Sequence, residues 1–233
     1  MSKYYYQKGA DGTVYRYTIN RDTEYDFNPR DDYGNVCRMN MWWNNYGMGD
    51  ENKSFGEVMV ELCDKYLPDY DYGDVSWHEM MLELQTKVND RLRIYPIYVY
   101  EHSGITISMA DGFPYNDRWD GGIGGLMIAE KETFDEYEVD WGHVYDVAKG
   151  EVDMYDMYLQ GEVYEYWMET YIGDGEWEEN GNETGYFSRK YGDELAEEIL
   201  GKCITEDEVT AAMLQYDLRE QQKAEYGMWL MAQ

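Results

Sequence analysis

The sequence predicts an α+β fold, with antiparallel hairpins or a mixed sheet packed against several helices. Residues 3–8 and 13–20 are rich in Tyr, Val, Thr and Ile and flank the turn Ala10-Asp11-Gly12, a pattern typical of a β-hairpin. Ser76 and Glu79 have the spacing of a capping box, which predicts the start of a helix. The regular strand–helix–strand rhythm of a parallel sheet does not occur, which favours α+β over α/β.

The first half of the chain predicts a loop and two helices. Residues 28–52 contain many Asn, Asp and Gly residues and are predicted to form a loop. Ser54 can cap a helix that ends near Tyr66, where a proline follows. The helix that begins at Ser76 is expected to continue to about Leu92. One face of it is apolar at a spacing of four residues, at Met80, Leu84, Val88 and Leu92.

The middle of the chain predicts strands and one further helix. Residues 94–100 alternate in polarity as a strand does, and Pro96 places that strand at a sheet edge or at its own start. Residues 104–109 are the predicted hairpin partner. A short strand at 126–129 follows a run of glycines, and helical spacing returns over residues 142–159.

The last third predicts one strand and two helices. Residues 162–172 alternate as a strand, and residues 173–185 are predicted to be a polar, glycine-rich turn region. Helices are expected at about 190–200 and 205–226, and Thr205 opens the second with another capping-box match. Its apolar residues are interpreted as core or as a dimer contact, namely Met213, Leu214, Leu218, Met228, Trp229, Leu230 and Met231.

The domain organisation that follows is a single large body. Residues 1–187 are assigned to an α+β domain with an acidic segment at 130–183, and residues 188–233 to a helical part packed on the same domain. Hydrophobic residues make up 43% of the chain and aromatic residues 17%, which is enough for a core and unlike a disordered acidic tail.

The location predicted from the sequence is the cytoplasm. The N-terminal residues MSKYYYQKG contain no apolar stretch typical of a signal peptide, and no apolar run of about 18 residues predicts a membrane span. Cys37, Cys63 and Cys203 are odd in number and far apart, which favours reduced thiols. No CxxC spacing occurs, and neither a metal site nor a cofactor is predicted.

The net charge of −30 sets the class of partner. A nucleic-acid binder needs a basic face, so direct binding of nucleic acid is excluded, and an anionic membrane surface would repel the chain. The charge is also uneven, because residues 130–183 hold 18 acidic residues and only two lysines. The expected partners are therefore basic, and the basic grooves of nucleic-acid enzymes are the most common such surfaces.

Few residues fit an enzyme. His78-Glu79 lacks the second histidine of HExxH, and the GxSxG nucleophile pattern is absent around Ser103. The glycine run at 121–125 lacks the Lys-Ser/Thr of a phosphate-binding loop, and close strand packing explains it better. His102, Asp117 and Asp120 are the weak candidates for an acid–base or metal cluster. Two acidic loops, at 69–74 and 176–187, each miss a ligand of a calcium loop.

Several stretches occur in a characteristic order. They are Asn28-Pro-Arg-Asp-Asp32, Tyr46-Gly-Met-Gly-Asp-Glu-Asn52, Tyr100-Glu-His-Ser-Gly-Ile-Thr106, Trp119-Asp-Gly121 and Tyr155-Asp-Met-Tyr-Leu159, followed by Gly161, Val163 and Tyr164. The chain resembles, over about residues 15–170, a family of uncharacterised proteins from bacteriophages and mobile elements. The resemblance implies action in the cytoplasm of a bacterial host and supplies no catalytic residues. The family pattern has His and Arg near Trp43, Asn44 and Asn45, and Ser-Gln in place of Gly122-Ile123, which weakens any enzymatic interpretation.

The acidic segment is predicted to be a docking face. Residues Glu136, Glu138 and Asp140 have the spacing of one strand face if extended, and Asp153 and Asp156 have a helical spacing. Tyr and Trp are enriched in protein interfaces, and charge speeds the encounter. The predicted docking residues are Glu136, Glu138, Asp140, Asp153, Asp156, Glu162, Glu165, Glu169, Tyr158, Tyr164 and Trp167.

The function expected from these observations is inhibition by nucleic-acid mimicry. The chain would be a phage-encoded acidic inhibitor of a host defence protein, either a restriction or a CRISPR nuclease, and would occupy its basic groove. A metal-dependent enzyme centred on His102, Asp117 and Asp120 is the alternative, although the sequence favours a non-enzymatic role. A plain acidic interaction module is the third. The sequence leaves the target, the docking face and the oligomeric state open.

Overall fold

The computed structural model describes residues 3–32, 34–110, 112–115 and 119–231. In chain order the strands are β1 (Tyr4–Lys8), β2 (Val14–Arg21), β3 (Arg38–Met41), β4 (Leu92–Glu101), β5 (Ile105–Ser108), β6 (Gly121–Glu130), β7 (Val163–Gly173) and β8 (Glu176–Phe187). The helices are α1 (Pro29–Asp32), α2 (Phe55–Tyr66), α3 (Trp77–Lys87), α4 (Lys131–Glu136), α5 (Val144–Leu159), α6 (Gly192–Leu200) and α7 (Glu206–Met231). Helices combined with antiparallel sheets confirm the α+β prediction.

The chain divides into two compact units. The terminal unit comprises residues 1–25 and 161–233, and the central unit comprises residues 26–160. These limits differ from the boundary at residue 187 that the sequence predicts. The reason is that β2 pairs with β7, so the N-terminal hairpin belongs with the C-terminal segment.

The terminal unit contains a four-stranded antiparallel sheet in the order β1-β2-β7-β8. The predicted hairpin at residues 3–20 and the predicted strand at 162–172 are confirmed. The prediction of a turn region at 173–185 is wrong, because β8 occupies most of it. Only Asp174 and Gly175 form the turn, and register shifts along β8 accommodate a sequence that is poor in strand-forming residues.

Helix α7 packs on this sheet through its first turns and then continues beyond it. Val209 and Ala212 are buried against Val14 and Tyr171, and Met213 packs at the margin of that core. Leu214, Leu218 and Met228 are exposed. The core interpretation is therefore confirmed for Met213 and wrong for these three residues. The side chains of Trp229, Leu230 and Met231 lie outside the described part.

The central unit contains a second antiparallel sheet in the order β3-β6-β4-β5. Strand β3 lies within the segment 28–52, which the sequence predicts to be a loop; its four residues are too few to give a periodic signal. Strand β4 is internal, although Pro96 predicts an edge. The proline is tolerated because β5 pairs only with Tyr98–Glu101, so β4 has a single partner strand at Pro96.

Helices α2 and α3 cover one side of this sheet and begin where the sequence predicts. Ser54 and Ser76 each form a capping box, with Glu57 and Glu79 respectively. Helix α3 ends at Lys87 instead of Leu92, because the chain turns there to enter β4. The predicted apolar face is nevertheless buried throughout, at Met80, Leu84, Val88 and Leu92.

The glycine run belongs to strand β6 and is not a turn before it. A Cβ atom on Gly124 would overlap the side chain of Val99, and one on Gly125 would lie 2.7 Å from the carbonyl oxygen of Asn40. Close packing of neighbouring strands, which the sequence analysis favours over phosphate binding, is therefore the reason for these glycines.

Glu57→Gln is expected to reduce the loss of stability on acidification. The Glu57 carboxylate accepts hydrogen bonds from the Ser54 hydroxyl (2.6 Å) and the Ser54 N–H (2.8 Å), which lower its pKa. A lowered folded-state pKa gives stability that is present above the unfolded-state pKa, about 4.3, and lost as the pH falls through the folded-state value. Glutamine also serves in capping boxes. Urea unfolding at a series of pH values should show a flatter acid limb for the variant, and an unchanged limb contradicts the prediction.

Candidate functional site

Two of the three predicted catalytic residues meet at one end of the central sheet. His102 lies in the β4–β5 turn, and its Nδ1 is 3.3 Å from Oδ2 of Asp120, which directly precedes β6. The backbone N–H of Glu101 donates to the carbonyl oxygen of Asp120 (2.7 Å), so the two strand ends are joined there. Asp117 lies outside the described residues.

The central group of this site is Glu101, which the sequence analysis does not single out. Its carboxylate accepts hydrogen bonds from the Tyr46 hydroxyl (2.7 Å), the Trp43 indole N–H (2.8 Å) and the Asn44 amide (2.8 Å). These bonds, from Tyr46 and then Trp43, lower the pKa of Glu101. No described lysine or arginine lies within ion-pair distance of it. The donors that the described residues supply to this carboxylate are therefore all neutral.

The local sequence explains how these donors reach Glu101. Trp43 lies across the glycines of β6, and a Cβ on Gly124 would lie 3.1 Å from the Trp43 side chain. Asn44 adopts a left-handed backbone conformation (φ 46°), which turns the chain so that Trp43 and Tyr46 both face Glu101. Glu101 is 55–58 positions away from its three donors in the chain, and no periodic pattern connects it with them.

Three exposed apolar side chains belong to the same segments as these carboxylates. Tyr46, Ile123 and Trp119 expose 52%, 51% and 96% of their surface, which is unusual for large apolar groups. We call the set Tyr46, Glu101, His102, Trp119, Asp120 and Ile123 the loop surface.

The geometry of the loop surface fits binding better than catalysis. His102 and Asp120 are both solvent-accessible, with side chains exposed by 68% and 42%. An acid–base pair gains most where water is excluded. In the described part of the chain, no three His, Cys, Asp or Glu side chains converge as a metal site requires.

Two of the predicted docking residues are buried, which corrects their assignment. Asp156 is 1% exposed and accepts a hydrogen bond from the Ile107 N–H (2.7 Å) on the outer edge of β5. Tyr164 is also buried. Neither side chain is available to a partner. Asp156 follows Ala148 and Val152 at a spacing of four residues on the buried face of α5, a signal that identifies it as internal.

Three more docking carboxylates lie near cations, although residues 130–183 themselves contain only two lysines. Glu169 forms two hydrogen bonds with Arg16 (2.7 and 2.5 Å). Asp153 pairs with Lys149, and Glu162 lies 3.9 Å from Arg189. Arg16 and Arg189 lie outside the acidic segment, so the local sequence does not show these pairs.

The other docking residues have mixed positions. Glu136, Glu138 and Asp140 are exposed, but Glu136 is the last residue of α4 and the other two follow it, so they do not form the extended ladder that their spacing suggests. Glu165 and Trp167 alternate with Tyr166 on β7, so both lie on the face of the sheet that carries Glu169, and both are half-buried. Tyr158 is half-buried on α5. Tyr158 and the first five docking carboxylates belong to the central unit and the remainder to the terminal unit.

Strand β8 presents exposed carboxylates that the docking prediction leaves out. Glu176, Glu178, Glu179 and Glu183 are exposed along this edge strand, which contains no basic residue. Most lysines and arginines of the described chain already lie within 4.0 Å of a carboxylate. The remaining surface is therefore strongly negative.

Arg30, in the stretch 28–32, is a buried arginine that bonds to Asp50 in the stretch 46–52. Every N–H group of the Arg30 guanidinium donates a hydrogen bond, two of them to Asp50 (2.8 and 2.6 Å) and the others to Glu151, Asn35 and the carbonyl of Cys37. Its side chain is 1% exposed. A cavity of about 460 Å³ adjoins it, but no donor of Arg30 is left for a ligand. This network stabilises the fold.

Burial raises the pKa of the Cys63 thiol to about 11. The three cysteines are free in the structure, as the sequence predicts. Within the described ranges, no helix is both long enough and apolar enough to span a membrane.

Comparison with known proteins finds no matching family model, curated protein or solved structure. The resemblance to bacteriophage and mobile-element proteins therefore stays a prediction.

Proposed function

We propose that the chain occupies the basic, nucleic-acid-binding groove of a host defence nuclease and blocks it by presenting carboxylates where the nuclease expects phosphates. The observation that carries the proposal is the surplus of carboxylates, 49 against 19 lysines and arginines, with most of those cations already paired. The resemblance to bacteriophage and mobile-element proteins favours a defence system of the host as the target.

The exposed carboxylates of β8 support this function. Residues two apart on one strand face lie about 6.6 Å from each other, whereas the phosphates along one DNA strand follow each other at about 3.4 Å of rise. Glu176 and Glu178 are two positions apart, and Glu179 and Glu183 extend the charge along the strand. A groove that binds phosphates through Lys and Arg would meet a row of negative charges on this edge, at about half the density of the phosphates along one DNA strand.

Charged edges also protect against strand pairing between molecules, and that role alone explains a few carboxylates on β8. It does not explain the second group of exposed carboxylates on α4 and the segment after it in the central unit, at Glu132, Asp135, Glu136, Glu138, Asp140 and Asp146. These residues are not on a sheet edge. Their mutual repulsion lowers stability, which favours a basic partner that offsets it.

The test is cleavage of duplex DNA by purified restriction and CRISPR nucleases in the presence of the chain. Inhibition is expected at about 50 mM salt and should be at least tenfold weaker at about 200 mM, because attraction between charged surfaces is screened. Added duplex DNA should relieve the inhibition. Absence of inhibition at low salt for every nuclease tested, or inhibition that is indifferent to salt, overturns the proposal.

A matched pair of variants tests the contribution of β8. The first triple variant removes charge from β8 and should weaken inhibition; it combines Glu176→Gln, Glu178→Gln and Glu179→Gln. The second removes the same charge from exposed helical positions; it combines Glu194→Gln, Glu197→Gln and Glu225→Gln. Equal losses in the two triple variants show that total charge acts without a preferred surface.

The second candidate function is acid–base catalysis by His102, which the 3.3 Å contact with Asp120 favours. His102→Ala then abolishes the activity, whereas a mimic keeps its inhibition in that variant. A plain acidic interaction module would bind a basic protein that is not a nuclease, and its complex would leave DNA cleavage unchanged.

A further inference from the structure

We propose that the loop surface binds an arginine side chain of the protein partner, with Glu101 as the anchoring carboxylate. The inference deepens the proposed function, since it rests on a basic partner and names one contact that the partner makes. Its evidence comes from the geometry of the loop surface and is separate from the exposed carboxylates of β8 and α4.

The Glu101 carboxylate is already oriented by its hydrogen-bond donors. A carboxylate has about four acceptor positions, and three are filled by Trp43, Asn44 and Tyr46. Oε2 accepts two of these bonds and Oε1 accepts one, so Oε1 retains a position for a further donor. Its orientation is fixed before any ligand arrives, which lowers the entropic cost of binding.

Burial accounts for only one of the three donors. The Trp43 indole is partly buried, but Asn44 and Tyr46 are exposed, so water can satisfy their polar groups without Glu101. The convergence of all three on one carboxylate therefore orients its negative charge. Neutral donors do not cancel that charge, so a cationic donor can form a charge-assisted hydrogen bond with it.

A second carboxylate and aromatic residues lie in the same segments as Glu101. Asp120 adds another carboxylate at the neighbouring strand end, bonded through its carbonyl to the Glu101 N–H. Tyr46, whose hydroxyl bonds to Glu101, exposes part of its aromatic ring, and Trp119 directly precedes Asp120 in the chain. An arginine guanidinium stacks on aromatic faces and donates to carboxylates in the same plane, and it is more weakly hydrated than an ammonium group. This combination selects arginine over lysine.

The test uses N-acetyl-arginine methylamide as the probe and nuclear magnetic resonance as the measurement. In the wild type, the indole N–H signal of Trp43 should shift and saturate as the probe is added, since that group bonds directly to Glu101. The corresponding lysine compound should bind more weakly. Glu101→Gln should weaken arginine binding roughly tenfold or more, the size expected for the loss of a charged hydrogen-bond partner.

Two further variants distinguish binding at this site from a general effect of net charge. Asp120→Asn should weaken binding of the probe while the Glu101 contacts remain. Glu225→Gln removes the same charge from an exposed position on α7 in the other unit and should leave binding unchanged. If Glu101→Gln and Glu225→Gln have equal effects, or the Trp43 signal never saturates, the probe responds only to net charge and the proposed site is overturned.

The outcome separates this inference from the proposed function. Inhibition of a nuclease without a saturating shift rejects the arginine site and leaves mimicry in place. A saturating shift that Glu101→Gln abolishes, without inhibition of any nuclease, retains the arginine site and rejects the nuclease as the partner.

Discussion

Arg30→Ala is expected to unfold the central unit under conditions in which the wild type is folded. The guanidinium is buried and neutralises Asp50 and Glu151. Removal of one partner from a buried ion pair leaves uncompensated charges and costs about 3–5 kcal/mol. Here two carboxylates lose the same cation, so the effect should reach the upper part of that range. Most domains have a total stability of about 5–15 kcal/mol, so this loss is a large fraction of it.

Hydrogen exchange followed by mass spectrometry is the suitable measurement, because it reports on peptides from residues 26–160 and 161–231 separately. Arg30→Lys keeps the charge but loses the planar fork that fills five acceptors, so its loss of protection should be intermediate. Arg91→Ala is the control, because the Arg91 side chain is 56% exposed and its contact with Asp90 is long, at 4.0 Å. A change below about 0.5 kcal/mol is expected for that control. Equal protection in Arg30→Ala and Arg91→Ala contradicts the structural role of Arg30.

Asp156→Ala is expected to destabilise the central unit by about 1–3 kcal/mol, the cost of a buried donor without its acceptor. The Ile107 N–H lies on the outer edge of β5, where no other strand of the described chain pairs, and the Asp156 carboxylate supplies the acceptor that a neighbouring strand would provide. Gln160 donates to the carbonyl oxygen of Ile105 in the same way. Side chains at the end of α5 therefore complete the hydrogen bonding of this edge.

Asp156→Asn retains an acceptor oxygen and should lose less stability than Asp156→Ala. Asp153→Ala removes a partly exposed carboxylate paired with Lys149 and should change stability by less than about 1 kcal/mol. Urea unfolding of the three variants gives the comparison. If Asp156→Ala left stability unchanged and weakened partner binding instead, the sequence-based assignment of Asp156 to a docking face would be restored.

Local signals account for the elements that the sequence predicts well. The capping box at Ser76 and Glu79 and the apolar spacing from Met80 to Leu92 both lie within one stretch of 17 residues. The N-terminal hairpin likewise depends on neighbouring residues and a turn. Each of these signals is present in a short window, and long-range packing does not overrule it.

The remaining elements depend on distant partners. Strand β8 contains Glu, Asn and Gly residues that disfavour a strand, and pairing with β7 outweighs that preference. The candidate site shows the same limit. His102 and Asp120 are identified by residue type, but Glu101 acquires its donors from residues 55–58 positions away in the chain. Only the fold brings these groups together.

The division into units also sets an order in time. Strands β1 and β2 leave the ribosome before the central unit, whereas β7, which pairs with β2, follows only after it. At about 5–20 residues per second, this interval is on the order of ten seconds. A two-stranded hairpin is marginally stable alone, so its tyrosine-rich strands wait for their partner strand while residues 26–160 are synthesised as a continuous segment. The terminal unit is thus completed after the central unit, from two segments that flank it in the chain.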